Sequence, residues 1–241
     1  KSLEVYNKLA DDPEKQKRSF SELFECQLKE ASATFPSALF ALNNNENVFY
    51  LGGGMHHAMS FGGRGFCLLN DIVIASRKLQ EEKKLKNIWV IDVDAHKGDG
   101  SAELTKDDET ISTLSIHMKN GWPMDSNIDG PWNIPSNIDI EIAQGEEATY
   151  LEKLQFGLSK LKSDFVAPNL IFVVNGSDPY EMDQLKSASL IKMKKEDLLK
   201  RDNLVFEFCK ELQTPQVWLM GGGYGPQSWE IYAQFLEQFV K

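Results

Sequence analysis

Short apolar runs rich in β-branched and aromatic residues recur along this chain of 241 residues, and longer helical patterns separate them. This alternation restricts the fold most, because strands joined through helices form a parallel sheet covered by helices. We predict strands over residues 47–52, 87–93, 110–116, 137–142, 169–174 and 216–221. We predict helices over residues 14–31, 68–84, 146–163, 195–213 and 227–240. The fold class is therefore α/β, a three-layer sandwich with a mostly parallel central sheet.

One segment without a helix or strand pattern is long for a compact domain. Residues 118–136 contain Gly, Pro, Asn and Asp at the density of turns, together with two Trp. Long ordered loops of this kind are often functional. The composition does not shift abruptly anywhere along the chain, so we predict a single domain over residues 1–241.

The charge and cysteine content exclude several classes of protein. The chain has 26 Lys and Arg against 36 Asp and Glu, a formal net charge of −10. This balance argues against nucleic-acid binding, which depends on clustered basic residues. The three cysteines form no C-x-x-C pair, and no apolar run approaches the roughly 18 residues that span a bilayer. We expect a cytoplasmic protein that binds neither nucleic acid nor membrane; its oligomeric state cannot be read from one sequence.

Polar or glycine-rich clusters follow five of the six predicted strands. In open α/β sheets, ligands bind outside the carboxyl ends of the strands, so these clusters can converge on one site. Glycine suits such positions because it permits sharp turns and close approach to a ligand. The clusters are GGGMHHA (52–58), DVDAHKGDG (92–100), SIH (115–117), NGSD (175–178) and GGGYG (221–225).

The second cluster has the pattern of a cation site. Alternate residues of a strand share a face, so Asp92, Asp94 and His96 can point the same way. Asp178, at the end of another apolar strand, is the natural third ligand beside Asp94 and His96. A lone strand-end Asp more often caps a helix or lies in a turn, and only the combination favours a metal. Oxygen and nitrogen donors of this kind suit Zn²⁺ and also Fe²⁺.

The tandem His56 and His57 are two of only four histidines in the chain. Beside a metal site they are best explained as an acid and base pair, because imidazole titrates near neutral pH. Asp92 and Asp99, the latter in a Gly-Asp-Gly turn, are available as the carboxylates that orient them. Tyr224, on a glycine hinge, is either a donor to an oxyanion or an exposed loop tyrosine.

These motifs, in this order, resemble the zinc-dependent histone deacetylase family, which has the arginase/deacetylase fold and includes bacterial amidohydrolases. The short GGGYG ending and the loop after SIH look more like the compact bacterial and class IV members than the large class I enzymes. The motifs cover most of residues 47–225 and are highly specific in combination. The matching stretches are GGGMHHA, GFCLLND (65–71), DVDAHKGDG, TLSIH (113–117), GSDPYEMDQL (176–185), KKEDLLKRD (194–202) and GGGYG.

The resemblance implies a role for each matching position. It implies Zn²⁺ ligands at Asp94, His96 and Asp178. It makes His56 and His57 the acid/base pair, with Asp92 and Asp99 as their respective carboxylate partners and Tyr224 as the donor to the substrate carbonyl. Gly65 and Phe66 would contact and line the tunnel for the acyl-lysine. A structural K⁺ would be held by the counterparts of Asp92, Asp94, His96 and Ser115.

The activity that the resemblance implies is removal of an acetyl or longer acyl group from a lysine in a protein or peptide, or from an acetylated polyamine. Two motif positions depart from the family pattern, at Lys97 and at Val174–Asn175. Only 55 residues precede His56, so we expect the domain to lack its N-terminal part. A catalytically idle module that binds acylated ligands or partners is the alternative. A binuclear manganese enzyme on the same fold is disfavoured, because Asp178 and Asp183 are not spaced as a D-x-D pair.

Overall fold

The structure is a computed structural model and describes residues 19–126 and 128–240. Its strands are β1 (Val48–Tyr50), β2 (Ile88–Asp92), β3 (Ile111–Met118), β4 (Ile138–Ile142), β5 (Leu170–Asn175) and β6 (Gln216–Met220). They form one sheet in the order β1-β6-β5-β2-β3-β4, and all of the pairings between these strands are parallel. All six predicted strands are therefore confirmed, within two residues at each end.

Helices cover both faces of the sheet. They are α1 (Phe20–Asn44), α2 (Asp71–Lys83), α3 (Asp99–Thr105), α4 (Tyr150–Asp164), α5 (Lys195–Glu211) and α6 (Ser228–Phe239). Single 3₁₀ turns lie at Pro131–Asn133, Glu147–Thr149 and Lys186–Ala188. Four of the five predicted helices end within four residues of the predicted bounds. The predicted three-layer α/β class is confirmed.

Strand β2 shows how one sequence serves two cores. Ile88 and Val90 pack with α1 and α2, whereas Trp89 and Ile91 pack with α4, α5 and α6 on the other face. This follows from the alternation of side chains along a strand. Beyond the strand, Val93 and Ala95 continue the second core and are fully buried. The intervening acidic residues and His96 are thereby turned away from that core, as the sequence predicted.

The first predicted helix, over residues 14–31, is wrong at its C-terminal end. Helix α1 continues for another thirteen residues, and Pro36 lies inside it. The extension buries Thr34, Ala38 and Ala41, whose small side chains allow close packing on α2 and the sheet. Such small residues give a weak amphipathic pattern, so tertiary packing decided where the helix ends. Residues 14–18 of this prediction lie outside the described residues.

Helix α3 is the second difference between prediction and structure, because the Gly-Asp-Gly pattern predicted a turn at Asp99. The helix begins at Asp99 and is only seven residues long, without a side-chain cap at its N-terminus. The backbone N–H of Ser101 donates to the carbonyl of His56 at 2.9 Å. A contact from another loop therefore stabilises a helix too short to be stable alone.

The sheet order places the functional loops. The chain passes from β2 to β3 and β4 on one side, then returns to β5 and β6 on the other. The switch point therefore lies between β2 and β5, where Asp92 pairs in register with Val174. A crevice at the carboxyl ends of the strands is expected at this point.

In the part of the chain that the structure describes, no helix is both long enough and apolar enough to cross a bilayer.

Candidate active site

Each of the two tandem histidines is bonded to its own aspartate. Nδ1 of His56 lies 2.6 Å from Oδ2 of Asp92, and Nδ1 of His57 lies 2.6 Å from Oδ1 of Asp99. All four side chains are buried. The pairing is the one that the sequence predicted. Because Nδ1–H of each ring donates to a carboxylate, Nε2 is the nitrogen that remains for chemistry.

The two histidines differ in their preference for a proton. Burial lowers the pKa of His56, but the charges of Asp92 and Asp94 outweigh it and raise the pKa to about 9. Burial and the neighbouring charge of His56 lower the pKa of His57 to about 4, although Asp99 opposes the shift. These shifts favour the charged form of His56 and the neutral form of His57 at neutral pH. Neighbouring groups whose pKa values are shifted in opposite directions are typical of acid–base sites.

The three predicted metal ligands come together beside this pair. One ligand atom from each of Asp94, His96 and Asp178 lies within 4.8 Å of the others, and all three residues are buried. Nδ1 of His96 lies 3.1 Å from Oδ1 of Asp94 and 2.9 Å from Oδ2 of Asp178. Residues from the ends of β2 and β5 meet here, so the site lies at the switch point of the sheet.

The charge and hydrogen bonding of this cluster fit a divalent cation. Oδ2 of Asp178 is buried and accepts no hydrogen bond of good geometry, although it lies 2.9 Å from Nδ1 of His96. Burial and the charge of Asp94 raise the pKa of Asp178 to about 6. A buried carboxylate oxygen without a donor is costly, and a cation removes that cost. Two carboxylates and one imidazole are also a donor set that suits Zn²⁺ or Fe²⁺.

Backbone N–H groups hold the two carboxylates in place. Gly222 donates to Oδ2 of Asp94 at 2.6 Å, and Ala95 donates to Oδ1 of Asp178 at 3.0 Å. Position 222 requires glycine, because a Cβ there would lie 2.5 Å from Oδ2 of Asp178. The glycine cluster after β6 therefore lets the backbone reach the ligands, as its sequence suggested.

Tyr224 lies in the same loop and faces the site. Its ring centroid is 5.7 Å from that of Phe66, and burial raises its pKa well above the usual value. The phenol therefore keeps its proton over the whole neutral range. Its backbone N–H donates to Oδ2 of Asp183 at 2.7 Å, which holds the loop. Asp183 thus supports Tyr224 and lies outside the group of metal ligands, which further disfavours the binuclear alternative.

A cavity of about 290 Å³ lies beside the tandem histidines and Tyr224. It is lined in part by His56, His57, Gly65, Phe66 and Tyr224. Gly65 has a φ of 52°, and a Cβ there would lie 2.6 Å from Cδ2 of His57. The position therefore needs glycine both for its backbone conformation and for its closeness to His57. Gly65 and Phe66 thus lie beside His57 and Tyr224, and their role in lining a tunnel for an acyl-lysine stays a prediction.

Sequence reasoning did not assign Trp122 to the site. Its ring centroid lies 4.6 Å from that of His57 and 5.7 Å from that of His96, so it forms a wall of the site. The signal was present in the density of turn residues and Trp in the predicted loop over 118–136. That pattern predicted a functional loop but could not show which Trp faces inward.

Supporting contacts around the loops were also missed. The carboxylate of Asp71 accepts hydrogen bonds from the N–H groups of Gly54 and Met55. Arg201 is fully buried and donates to the carbonyls of Val93 and Gly176, beside the metal ligands. Asp71 and Arg201 lie in the matching stretches GFCLLND and KKEDLLKRD, but neither was assigned a role, because only tertiary structure brings these side chains to the loops.

The two departures from the family pattern have partners in the structure. Nζ of the buried Lys97 lies 3.1 Å from Oδ2 of Asp139, so its charge is paired away from the metal ligands. Oδ1 of Asn175 accepts a hydrogen bond of 2.7 Å from Arg201. Each unusual residue is therefore compensated locally, and neither displaces a predicted ligand.

The residues expected to hold a monovalent cation lie at the ends of β2 and β3. Asp92 and Ser115 pair in register, and Oγ of Ser115 accepts a hydrogen bond of 3.3 Å from the N–H of Gly98. The N–H groups of Asp94 and His96 donate to Oδ1 of Asp92 and Asp94, respectively. Asp92, Asp94 and His96 thus lie in one tight turn, and Ser115 lies beside it on the neighbouring strand.

The arrangement of two His–Asp pairs beside a three-ligand cluster is matched by a known family. A family model that describes the histone deacetylase domain matches residues 2–239. The chain belongs to the histone deacetylase family. This confirms the resemblance that the motifs predicted.

Comparisons with individual proteins support this family assignment. Histone deacetylase 2 of Arabidopsis thaliana is 30% identical over 194 residues, which are 79% of this chain and 48% of the relative. An uncharacterised protein of Picosynechococcus is 34% identical over 173 residues, 71% of this chain and 54% of the relative. The crystal structure of a histone deacetylase homologue complexed with SAHA has a TM-score of 0.71 and 25% identity, covering 88% of this chain and 57% of that one. The arginase/deacetylase-like fold is therefore confirmed, and the chain spans about half the length of these curated relatives.

Proposed function

We propose that this chain is a metal-dependent deacetylase, which hydrolyses the amide between an acetyl or longer acyl group and an amine. The observation that supports this most strongly is that two His–Asp pairs lie directly beside a three-ligand cluster, with Nε2 of His56 3.8 Å from Oδ1 of Asp94. Membership of the histone deacetylase family supports the same reaction. The products are a carboxylate and a free amine.

The metal in this proposal is held by Asp94, His96 and Asp178. Zn²⁺ is the favoured ion, and Fe²⁺ fits the same donors. When bound, such an ion supplies Lewis-acid polarisation of the amide carbonyl and makes the attacking water more acidic. A structural K⁺ beneath it would be held by Asp92, Asp94, His96 and Ser115, which the strand register brings together.

The histidines divide the proton transfers between them. His57 is neutral and takes the proton of the attacking water at Nε2, while Asp99 holds Nδ1–H and so fixes the tautomer. His56 remains charged and stabilises the negative charge that develops on the carbonyl oxygen. His57 then returns its proton to the leaving amine.

Tyr224 supplies the remaining hydrogen bond. Because its pKa is raised, the phenol remains a donor at neutral pH and can stabilise the developing oxyanion. Gly65 and Phe66 line the cavity beside the histidines, and Trp122 packs on the ring of His57. In this proposal these three residues bound the path of a narrow chain such as the methylenes of a lysine. The substrate is therefore an acylated lysine of a protein or peptide, or an acetylated polyamine.

The test uses the purified chain with a panel of acyl-lysine peptides and acetylated polyamines. We expect turnover that stops with a chelator and returns when Zn²⁺ or Fe²⁺ is added back. Asp178→Asn should lose metal and turnover, whereas Asp164→Asn, at an exposed position, serves as the matched control. Bound metal with no turnover on any acylamine would instead establish the idle binding module. The extent of the domain over residues 1–241 and the cytoplasmic location remain predictions.

A further inference from the structure

Arg64 directly precedes the two residues that line the approach to the site. Its Nε donates to Oδ2 of Asp99 at 2.9 Å. Its guanidinium carbon lies 5.1 Å from the ring centroid of Trp122 and 4.7 Å from that of Trp132. The side chain is 25% exposed, whereas that of Asp99 is fully buried. Arg64 thus contacts both the interior of the site and its wall.

These contacts close a ring of four side chains. Asp99 binds Arg64 through Oδ2 and His57 through Oδ1. Trp122 packs on the guanidinium of Arg64 and also on the ring of His57. The proposed base is therefore held from two directions, and Arg64 is the member that joins them.

The chemistry of arginine suits this place. A guanidinium donates in a fixed plane and stacks on aromatic faces at the same time, whereas an ammonium is a flexible point charge. Oδ1 of Asp99 already accepts from His57 and from the N–H of Gly100. Without Arg64, the buried Oδ2 would have no comparable charged donor, and the carboxylate could rotate away from His57.

We propose that Arg64 is a positioning residue, which orients the Asp99–His57 pair and couples it to the 118–136 loop through Trp122 and Trp132. The inference rests on the proposed deacetylase function, in which His57 moves the proton. It follows that the order of this loop and the orientation of the base change together. A substrate that displaces Trp122 would thereby alter the geometry of proton transfer.

The kinetic test compares Arg64→Ala, Arg64→Lys and Arg77→Ala. Arg77 also pairs with an aspartate, Asp108, but lies away from the site, so its variant controls for loss of an Arg–Asp pair. We expect Arg64→Ala to lower kcat about 10- to 100-fold with a smaller change in KM. Arg64→Lys should recover only part of this loss, and Arg77→Ala should stay close to the parent.

Chemical rescue and spectroscopy separate positioning from a merely structural role. Added methylguanidine should restore part of the turnover of Arg64→Ala. It should not increase the turnover of Arg77→Ala. In proton NMR, the low-field Nδ1–H resonance that disappears in His57→Ala should shift in Arg64→Ala, while the His56 resonance stays in place.

The outcomes distinguish the two proposals. If the parent chain turns over no acylamine, the deacetylase function fails, and the NMR comparison still decides whether Arg64 orients His57. An unchanged His57 resonance in Arg64→Ala would overturn the inference, as would turnover equal to that of Arg77→Ala.

Discussion

The carboxylate of Asp71 accepts a hydrogen bond of 2.8 Å from the backbone N–H of Met55, the residue that precedes the tandem histidines. Oδ2 of the same side chain accepts from Gly54 and from the hydroxyl of Thr34. The first turn of α2 therefore anchors the loop that presents His56 and His57. Asp71, which lies outside the two proposed His–Asp pairs, thus holds the loop that carries both histidines.

Asp71→Asn should weaken this anchor. The amide keeps one acceptor but turns an NH₂ group toward the backbone donors, and buried unsatisfied groups cost about 1–3 kcal/mol each. We expect the free energy of unfolding to fall by about that amount in urea titrations, with reduced kcat. Asp164→Asn, on the surface of α4, is the control and should change neither quantity. Stability equal to that of the control would contradict the anchoring role.

The pH dependence of kcat/KM should be a broad bell. Activity needs His57 neutral, so it rises as the pH passes the lowered pKa of His57 near 4. It also needs His56 charged, so it falls as the pH passes the raised pKa of His56 near 9. The check is a pH–rate profile with an acetyl-lysine peptide.

Asp92→Asn tests which group causes the fall of kcat/KM at alkaline pH. Asp92 raises the pKa of His56, so removing its charge should move the alkaline limb to lower pH. The acid limb, which belongs to His57 and Asp99, should move much less. An alkaline limb that does not move would assign it to another group.

His57→Ala and Tyr224→Phe should each lower turnover by orders of magnitude. The first removes the base, and general acid–base catalysis contributes about 10²- to 10⁴-fold. The second removes only the hydroxyl that donates to the oxyanion, a contribution of similar size. Both are measured as kcat on a zinc-loaded sample, with circular dichroism to confirm folding. Near-normal turnover in either variant would refute the assigned role.

Gly65→Ala should disrupt the site through a steric clash with His57 and Trp122. Its Cβ would lie 2.6 Å from His57 and closer still to the ring of Trp122, in addition to the positive φ. Gly145→Ala is the matched control, because φ is 88° there and the space around a Cβ is open. We expect Gly145→Ala to cost about 1 kcal/mol of stability with normal turnover. Equal activity of the two variants would show that the approach tolerates a wider residue.

Arg201→Met should strongly destabilise the fold. It leaves the carboxylate of Asp202 buried without its cation, and breaking a buried ion pair costs about 3–5 kcal/mol. Replacing both partners, with Arg201→Met and Asp202→Leu, should cost less than the single change. Unfolding in guanidinium chloride measures both. If Arg201→Met were as stable as the parent, Arg201 would not be needed to stabilise the loops that carry the predicted ligands.

Local patterns predicted the regular parts of the molecule well. Strands β2, β3, β5 and β6 are buried along almost their whole length, as expected for strands covered on both faces, whereas β4 alternates buried and more exposed residues. The C-terminal end of α1 was not predicted, because its last four turns bury small residues whose packing depends on α2. Helix α3 likewise needs a contact from the loop of His56, which lies more than forty residues away in the chain.

By itself, the sequence predicted the kind of chemistry. The alternation of strands and helices fixed a parallel sheet, and the motifs at strand ends supplied the metal-ligand residues, the tandem histidines, their aspartates and Tyr224. Only the tertiary structure decided that His56 and His57 prefer opposite charge states, because burial and the distances to Asp92, Asp94 and Asp99 set their pKa values. It also brought Arg64 and Trp122 to His57. Such contacts join segments distant in the chain, and their energies depend on where the folded chain places each charge.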